Sequence, residues 1–216
     1  MLLCLFVLSM QAQEIAVIPQ PAQMSVGDGK FLFNGKVVIA YPKAKGSGID
    51  AVGFSQYEQI DVISFSYGVF MSQFVDIPKI HSNIAICGTL FPINREFGIS
   101  PKIFDLTLKT LNDENLQKFY KNMFDEENEF EKFIQLNKTS QLNIENLKQE
   151  LETIKSLAIE NNKTKRKFTR VYVANNDKII PARAQNAFWQ DKINIKQLES
   201  GHFPFFKISL EDLLNE

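Results

Sequence analysis

The sequence has little of what builds a metal centre or a disulfide scaffold. Among its 216 residues are two cysteines, Cys4 and Cys87, and two histidines, His81 and His202, with no HExxH and no CxxC pattern. So few cysteines cannot make a disulfide framework, and the body of the chain reads as cytosolic. Two isolated histidines argue against a zinc site, so no metal and no cofactor are expected. An excess of one charge is also lacking, with 24 Lys and Arg against 25 Asp and Glu. That balance gives no general attraction to nucleic acid, although an acidic partner could meet a local basic patch. The apolar run Leu2 to Met10 is too short to span a bilayer. Followed by Gln-Ala-Gln, it has the look of a secretory leader without the usual basic start, which leaves export as the alternative to a cytoplasmic location. A frayed apolar terminus is the plainer reading.

What is present is the composition of an ordinary globular protein, 44% hydrophobic and 23% charged, long enough for one sizeable core. Three stretches are expected: a leader-like 1–13, a segment 14–50, and a main domain 51–216. The second holds two β-prone runs around Asn34-Gly35, a strong hairpin signal. Beyond Ile60, apolar β-rich runs alternate with helical stretches, which predicts a mostly parallel sheet flanked by helices. The strand candidates are Ile60 to Phe65, Asn83 to Thr89, Thr169 to Asn175 and Ile193 to Ser200. Residues 99–163 carry apolar positions at helical spacing, among them Leu116, Phe119, Tyr120, Met123 and Phe124. A parallel crossover needs only a dozen or more residues, so this longer excursion is expected to be a helical cap over a pocket. A surface helical hairpin with one apolar face is the alternative.

Chemistry is concentrated where strands end. In Asp61-Val-Ile-Ser64-Phe65-Ser66-Tyr67-Gly68, a serine follows a buried strand and precedes a helical stretch. Small residues stand two positions to either side, as a nucleophile elbow requires, although the pattern is S-x-S-x-G rather than G-x-S-x-G. A serine capping a helix is the bland alternative. Sites in open α/β sheets lie beyond the carboxyl ends of the strands. That rule selects His202, after Ile193 to Ser200, over His81, which precedes its strand. It likewise selects Asp177 over Asp191. The order Ser66, Asp177, His202 is the nucleophile, acid, base order of an α/β-hydrolase, and the Tyr67 N–H is expected to be one oxyanion donor.

With those residues in place, the chain from about residue 54 onward resembles the pimeloyl-acyl-carrier-protein methyl ester esterases of the BioG type. The likeness is carried by Ile63-Ser-Phe-Ser66-Tyr-Gly-Val-Phe, Ile84-Ala-Ile-Cys-Gly-Thr-Leu-Phe-Pro-Ile, Phe97-Gly-Ile-Ser-Pro-Lys-Ile-Phe, Asn115-Leu-Gln-Lys-Phe-Tyr-Lys-Asn-Met, Asp177-Lys-Ile-Ile-Pro and Gly201-His202-Phe-Pro-Phe. The resemblance implies an α/β-hydrolase fold and a serine carboxylesterase that hydrolyses the methyl ester of pimeloyl-carrier, releasing methanol and freeing pimeloyl-carrier for biotin synthesis. It further implies an acyl carrier protein as partner. Leu90, Phe91, Phe119 and Met123 are the expected substrate-binding side chains. Lys118 and Lys121, beside the apolar cap stripe, are the expected carrier contacts in preference to the run Lys163-Thr-Lys-Arg-Lys167, which precedes a strand. The family's opening strand and Gly-Trp-Gly-like oxyanion loop have no counterpart before Ser66. Residues 1–45 resemble instead the start of an exported β-N-acetylhexosaminidase. The first strands of the fold are therefore expected to be missing or replaced, and activity to be weak or absent. Another carboxylesterase or thioesterase on the same scaffold, and a non-catalytic fused or truncated protein, are the rival readings.

Overall fold

The computed structural model describes residues 4–9, 14–18, 30–33, 36–39, 60–74, 80–136, 144–160, 166–209 and 212–213. Strands β5 (Ile60–Phe65), β6 (Ile80–Ile86), β7 (Arg170–Ala174) and β8 (Ile195–Leu198) run parallel. They belong to a six-stranded sheet completed by β1 (Cys4–Ser9) and β2 (Glu14–Ile18), in the order β2-β1-β5-β6-β7-β8. β7 shows why the strands read as continuous apolar runs. Val171 and Val173 enter one buried layer, Tyr172 and Ala174 the other, so both faces of the sheet are covered. One layer packs Val171, Val173 and Ala85 against Phe188 and Trp189 of α6 (Ala182–Trp189). The other holds Ile63, Phe65, Ile84, Ile86 and Leu213. Complete burial of such side chains contributes about 1.5–3 kcal/mol apiece.

Two strands differ from the expectation. β6 begins at Ile80 and ends at Ile86, three residues earlier than its apolar run suggests. His81 therefore lies within the strand rather than before it. β1 comes from the leader-like run and pairs with β5 antiparallel, Cys4 opposite Phe65 and Ser9 opposite Ile60. A strand in this direction ends at the rim away from the end of β5. The runs around Asn34-Gly35 form an antiparallel pair, β3 (Lys30–Phe33) and β4 (Lys36–Ile39), with Phe33 opposite Lys36, the register that a tight hairpin sets. Residues 46–48 and 163–165 lie outside the described residues. Arg166, the next residue of that basic run, donates to the Ser72 carbonyl just past α1 (Tyr67–Met71).

Among the described residues, the excursion between β6 and β7 contains four helices: α2 (Pro101–Thr110), α3 (Asp113–Asn122), α4 (Glu127–Leu136) and α5 (Ile144–Glu160). Local chemistry starts two of them. Ser100 caps α2 by accepting from Ile103 N–H, with Pro101 in the first turn. Asn112 caps α3 by accepting from Asn115 N–H, and Asp113 and Glu114 face its positive end. Their apolar faces meet in a single cluster with Tyr67 and Phe70, including Phe104, Leu116, Tyr120, Phe124, Phe133, Leu147 and Leu151. Phe203 joins this cluster to the sheet, its ring 5.9 Å from that of Phe65 and 5.6 Å from those of Phe124 and Phe133. Cap and sheet therefore share an aromatic seam beside His202.

Candidate active site

Ser66 follows the last residue of β5 and opens α1. Its N–H donates to the Ile86 carbonyl at the end of β6, and its carbonyl accepts from Val69 N–H. Held between these bonds, Ser66 adopts φ 57°, ψ −128°. A non-glycine residue in this region carries about 1–3 kcal/mol of strain, which persists only where the surroundings enforce it. It occupies the N-cap position of α1, yet its side chain makes no capping bond. The hydroxyl is directed elsewhere: Oγ lies 2.9 Å from His202 Nε2. The close approach of two turns permits this. A Cβ on Gly88 would lie 2.3 Å from the Ser66 carbonyl oxygen, so the turn after β6 can lie against the elbow only with glycine there.

His202 follows β8 in a turn fixed by its neighbours. Phe203 N–H donates to the Met123 carbonyl at 3.0 Å, and a Cβ on Gly201 would lie 2.6 Å from that same oxygen. The imidazole leans on Phe65, ring centroids 4.9 Å apart. Its Nδ1 is 2.8 Å from Asp177 Oδ2. The Asp177 carboxylate follows β7 and receives four donors: Ile179 N–H (2.8 Å) and Ile180 N–H (2.9 Å) on Oδ1, Gln185 Nε2 (2.8 Å) and His202 on Oδ2. An ionised carboxylate is an acceptor only, so Nδ1 carries the proton and Nε2 is left to accept from the Ser66 hydroxyl. Ser66, Asp177 and His202 are all buried. The three residues chosen by their places after strands thus form one hydrogen-bonded chain on one rim.

Around this chain the groups are neutral or spoken for. Burial, and then the charge of Asp177, pushes the Cys87 thiol well above its ordinary value. Its Sγ lies within 4.8 Å of Asp177 and His202 ligand atoms. A cation held by these three would have to displace the Nδ1–H···Oδ2 bond. Burial likewise drives the Tyr67 phenol upward, while its backbone N–H, first in a helix, has no partner inside that helix.

A cavity of about 280 Å³ opens among α2, α3 and α5, reaching Tyr67, the residue after Ser66, and Lys178-Ile179, the residues after Asp177. Its walls include Phe104, Leu111, Leu116, Phe119 and Leu151. Of the four side chains expected to bind substrate, Phe119 lines it. Leu90 and Phe91 instead pack in the sheet layer with Phe188, and Met123 is buried in the cap cluster. Lys118 borders the cavity and pairs with Glu114 at 2.6 Å; Lys121 pairs with Glu127 at 3.1 Å, both on the exposed surface. Gln185 and Gly88 escaped the sequence reading. A buried glutamine one helix beyond an acid has no local signature, whereas a glycine directly after an apolar strand is a recognisable sign of close backbone approach.

A strained serine at a strand-to-helix turn, with an acid and a histidine after later parallel strands and a helical cap, defines the α/β-hydrolase fold. Residues 33–212 match the family model described as pimeloyl-ACP methyl esterase BioG, and the chain belongs to that family. The match begins inside the hairpin segment, earlier than residue 54. A malonyl-(acyl-carrier protein) O-methyltransferase of Bacteroides fragilis is 31% identical over 175 residues, 79% of this chain but 35% of that protein, so the chain spans about a third of that relative's length. An uncharacterised protein of Haemophilus influenzae is 24% identical over 72% of each chain. The crystal structure of BioG from Haemophilus influenzae has the same fold, with a TM-score of 0.71 at 18% identity, over 95% of this chain and 96% of that one.

Proposed function

We propose that this chain is a serine esterase that hydrolyses the methyl ester of a pimeloyl group borne by acyl carrier protein, releasing methanol. The observation that carries the reading is the continuous chain Asp177–His202–Ser66 ending on a serine held at φ 57°. Ser66 Oγ attacks the ester carbonyl while His202 Nε2 takes its proton. Asp177 holds the Nδ1–H tautomer and stabilises the imidazolium. The Tyr67 N–H meets the oxyanion, a contact of a kind worth about 2.7–4 kcal/mol. His202 then protonates departing methanol, and water repeats the cycle on the acyl-serine.

The cap cavity supports an acyl substrate, because its apolar walls suit a methylene chain and it reaches the residue after the nucleophile. Membership of the BioG family supports a pimeloyl-carrier ester as the substrate.

Methyl pimeloyl-carrier, followed by mass spectrometry, tests the substrate. Loss of the methyl group with the thioester intact supports the esterase; preferential release of the acyl chain from the carrier would make the protein a thioesterase. Lys118 and Lys121 are the proposed contacts to the acidic carrier. Reversing both, K118E/K121E, is expected to raise KM for the carrier-linked ester about tenfold and leave a small aryl ester unaffected. An equal effect on both substrates would remove these lysines from carrier binding.

A further inference from the structure

We propose that Gln185 is a positioning residue of the hydrolytic chain, setting how much of the Asp177 charge is presented to His202; this rests on the esterase reading of Ser66, Asp177 and His202. Pro181 starts α6, its carbonyl accepting from Ala184 N–H at 2.8 Å and Gln185 N–H at 3.2 Å. That turn aims a fully buried Gln185 amide back at the acid. Its Nε2 donates to Asp177 Oδ2 at 2.8 Å and to the Ile180 carbonyl at 2.7 Å. The amide oxygen has no hydrogen-bond partner among the described residues. An orphaned buried oxygen is costly, and a methionine would fill a similar volume without it. What the amide adds is donation.

The carboxylate does not need Gln185 to stay in place, because Ile179 and Ile180 N–H groups hold Oδ1. It needs Gln185 to divide Oδ2 between two donors. Without that second donor, negative charge on Oδ2 faces the His202 Nδ1–H alone and stabilises the imidazolium more strongly. The neutral imidazole that must deprotonate Ser66 then exists only at higher pH. The other nearby groups do not compensate. Cys87, from the turn after β6, is a neutral thiol; Ser66 holds the other imidazole nitrogen; Asp125, past α3, binds Asn176; and Lys178 is exposed.

Gln185→Met is therefore expected to move the acid limb of the kcat/KM profile for an aryl ester upward by roughly half a pH unit, with KM unchanged. A limb that stays in place in folded Gln185→Met, whatever happens to kcat, overturns the proposal. Proton NMR supplies a reading that needs no turnover, since the chain has two histidines and His81→Ala assigns them. The His202 Nδ1–H resonance should move downfield in Gln185→Met; an unmoved resonance counts equally against the proposal. Failure of the wild type to react with a fluorophosphonate at Ser66 would instead sink the esterase reading, and the resonance would still test Gln185.

Discussion

Among the described residues the sheet carries an aspartate, a histidine and a serine at each of two rims, and the two sets are joined in different orders. At the carboxyl ends, Asp177, His202 and Ser66 are joined in series, with the imidazole in the middle. At the amino ends of β5 and β6, Asp61 Oδ1 accepts from both Ser82 Oγ at 2.5 Å and His81 Nδ1 at 3.0 Å. There the carboxylate is in the middle. A serine bound to an acid gives its proton to a group that holds it in place, whereas a serine bound to an imidazole gives it to a base that can take it. Exposure sharpens the contrast, since the His81 side chain is 51% exposed and that of His202 is 2% exposed. Residue type does not make the site; order along the hydrogen-bond chain and the backbone that imposes it do.

Replacing each serine tests this contrast most directly. Ser66→Ala should lower kcat by about 10⁴-fold or more and abolish fluorophosphonate labelling, because it removes the nucleophile. Ser82→Ala should leave turnover within about twofold, its change confined to stability. Comparable losses in the two variants would break the comparison, and retained labelling in Ser66→Ala would place the nucleophile elsewhere.

Next in size is the backbone contact that shapes one rim alone. Gly88→Ala would set a methyl group 2.3 Å from the Ser66 carbonyl oxygen and 2.7 Å from Val69 Cγ2. Relief requires the elbow to move by a large fraction of an ångström. The expected outcome is a loss of about 1–3 kcal/mol in chemical denaturation together with about a hundredfold fall in kcat. Stability loss without the kinetic effect would show that the turn after β6 yields while the elbow stays.

The opposite rim gives the converse. Asp61→Asn removes the charge that Ser82 and His81 share, leaving a neutral amide oxygen as their weaker acceptor. Because Asp61 and Ser82 are buried, unfolding should cost about 1–3 kcal/mol less, with kcat/KM unchanged. A changed pH profile for the esterase would reveal coupling between the rims.

These differences bear on what could be read from residues alone. Ser66, Asp177 and His202 are legible because each follows a run that reads as a strand, and parallel strands deliver the residues after them to one rim. The start of β6 was obscured by His81 and Ser82, polar residues that a strand accepts here because Asp61 on β5 satisfies them. β1 lies within the apolar run Leu2 to Met10, whose local pattern fits a leader or a frayed terminus; antiparallel pairing with β5 depends on a partner more than fifty positions away, which local pattern does not encode. The cap is visible as helices, whereas Leu90 and Phe91, expected to bind substrate, pack in the sheet layer, a place their apolar character suits equally. Gln185 shows the same limit, since its partner is set by the tertiary path of α6.

The smallest effect is expected where the turn that carries His202 meets the cap surface. Lys207, five residues after His202, donates to Glu126 at 2.9 Å and lies 3.7 Å from Glu129. The hydrogen bond from Lys207 holds the Glu126 carboxyl below its ordinary value of 4.5, and its bond to Glu126 raises Lys207 above 10.5. The lowered carboxylate contributes stability above its unfolded value and loses it as pH falls through the folded one. The raised amine contributes below its unfolded value and loses it as pH rises through the folded one. Lys207→Met should therefore unfold slightly more easily than wild type between those limits, near the edge of detection for a surface pair, and the two should converge outside them and in high salt. A large loss of kcat in this variant would mean that the aromatic seam of Phe65, Phe124 and Phe203 does not hold the His202 turn by itself, and that the exposed ion pair shares in orienting the base.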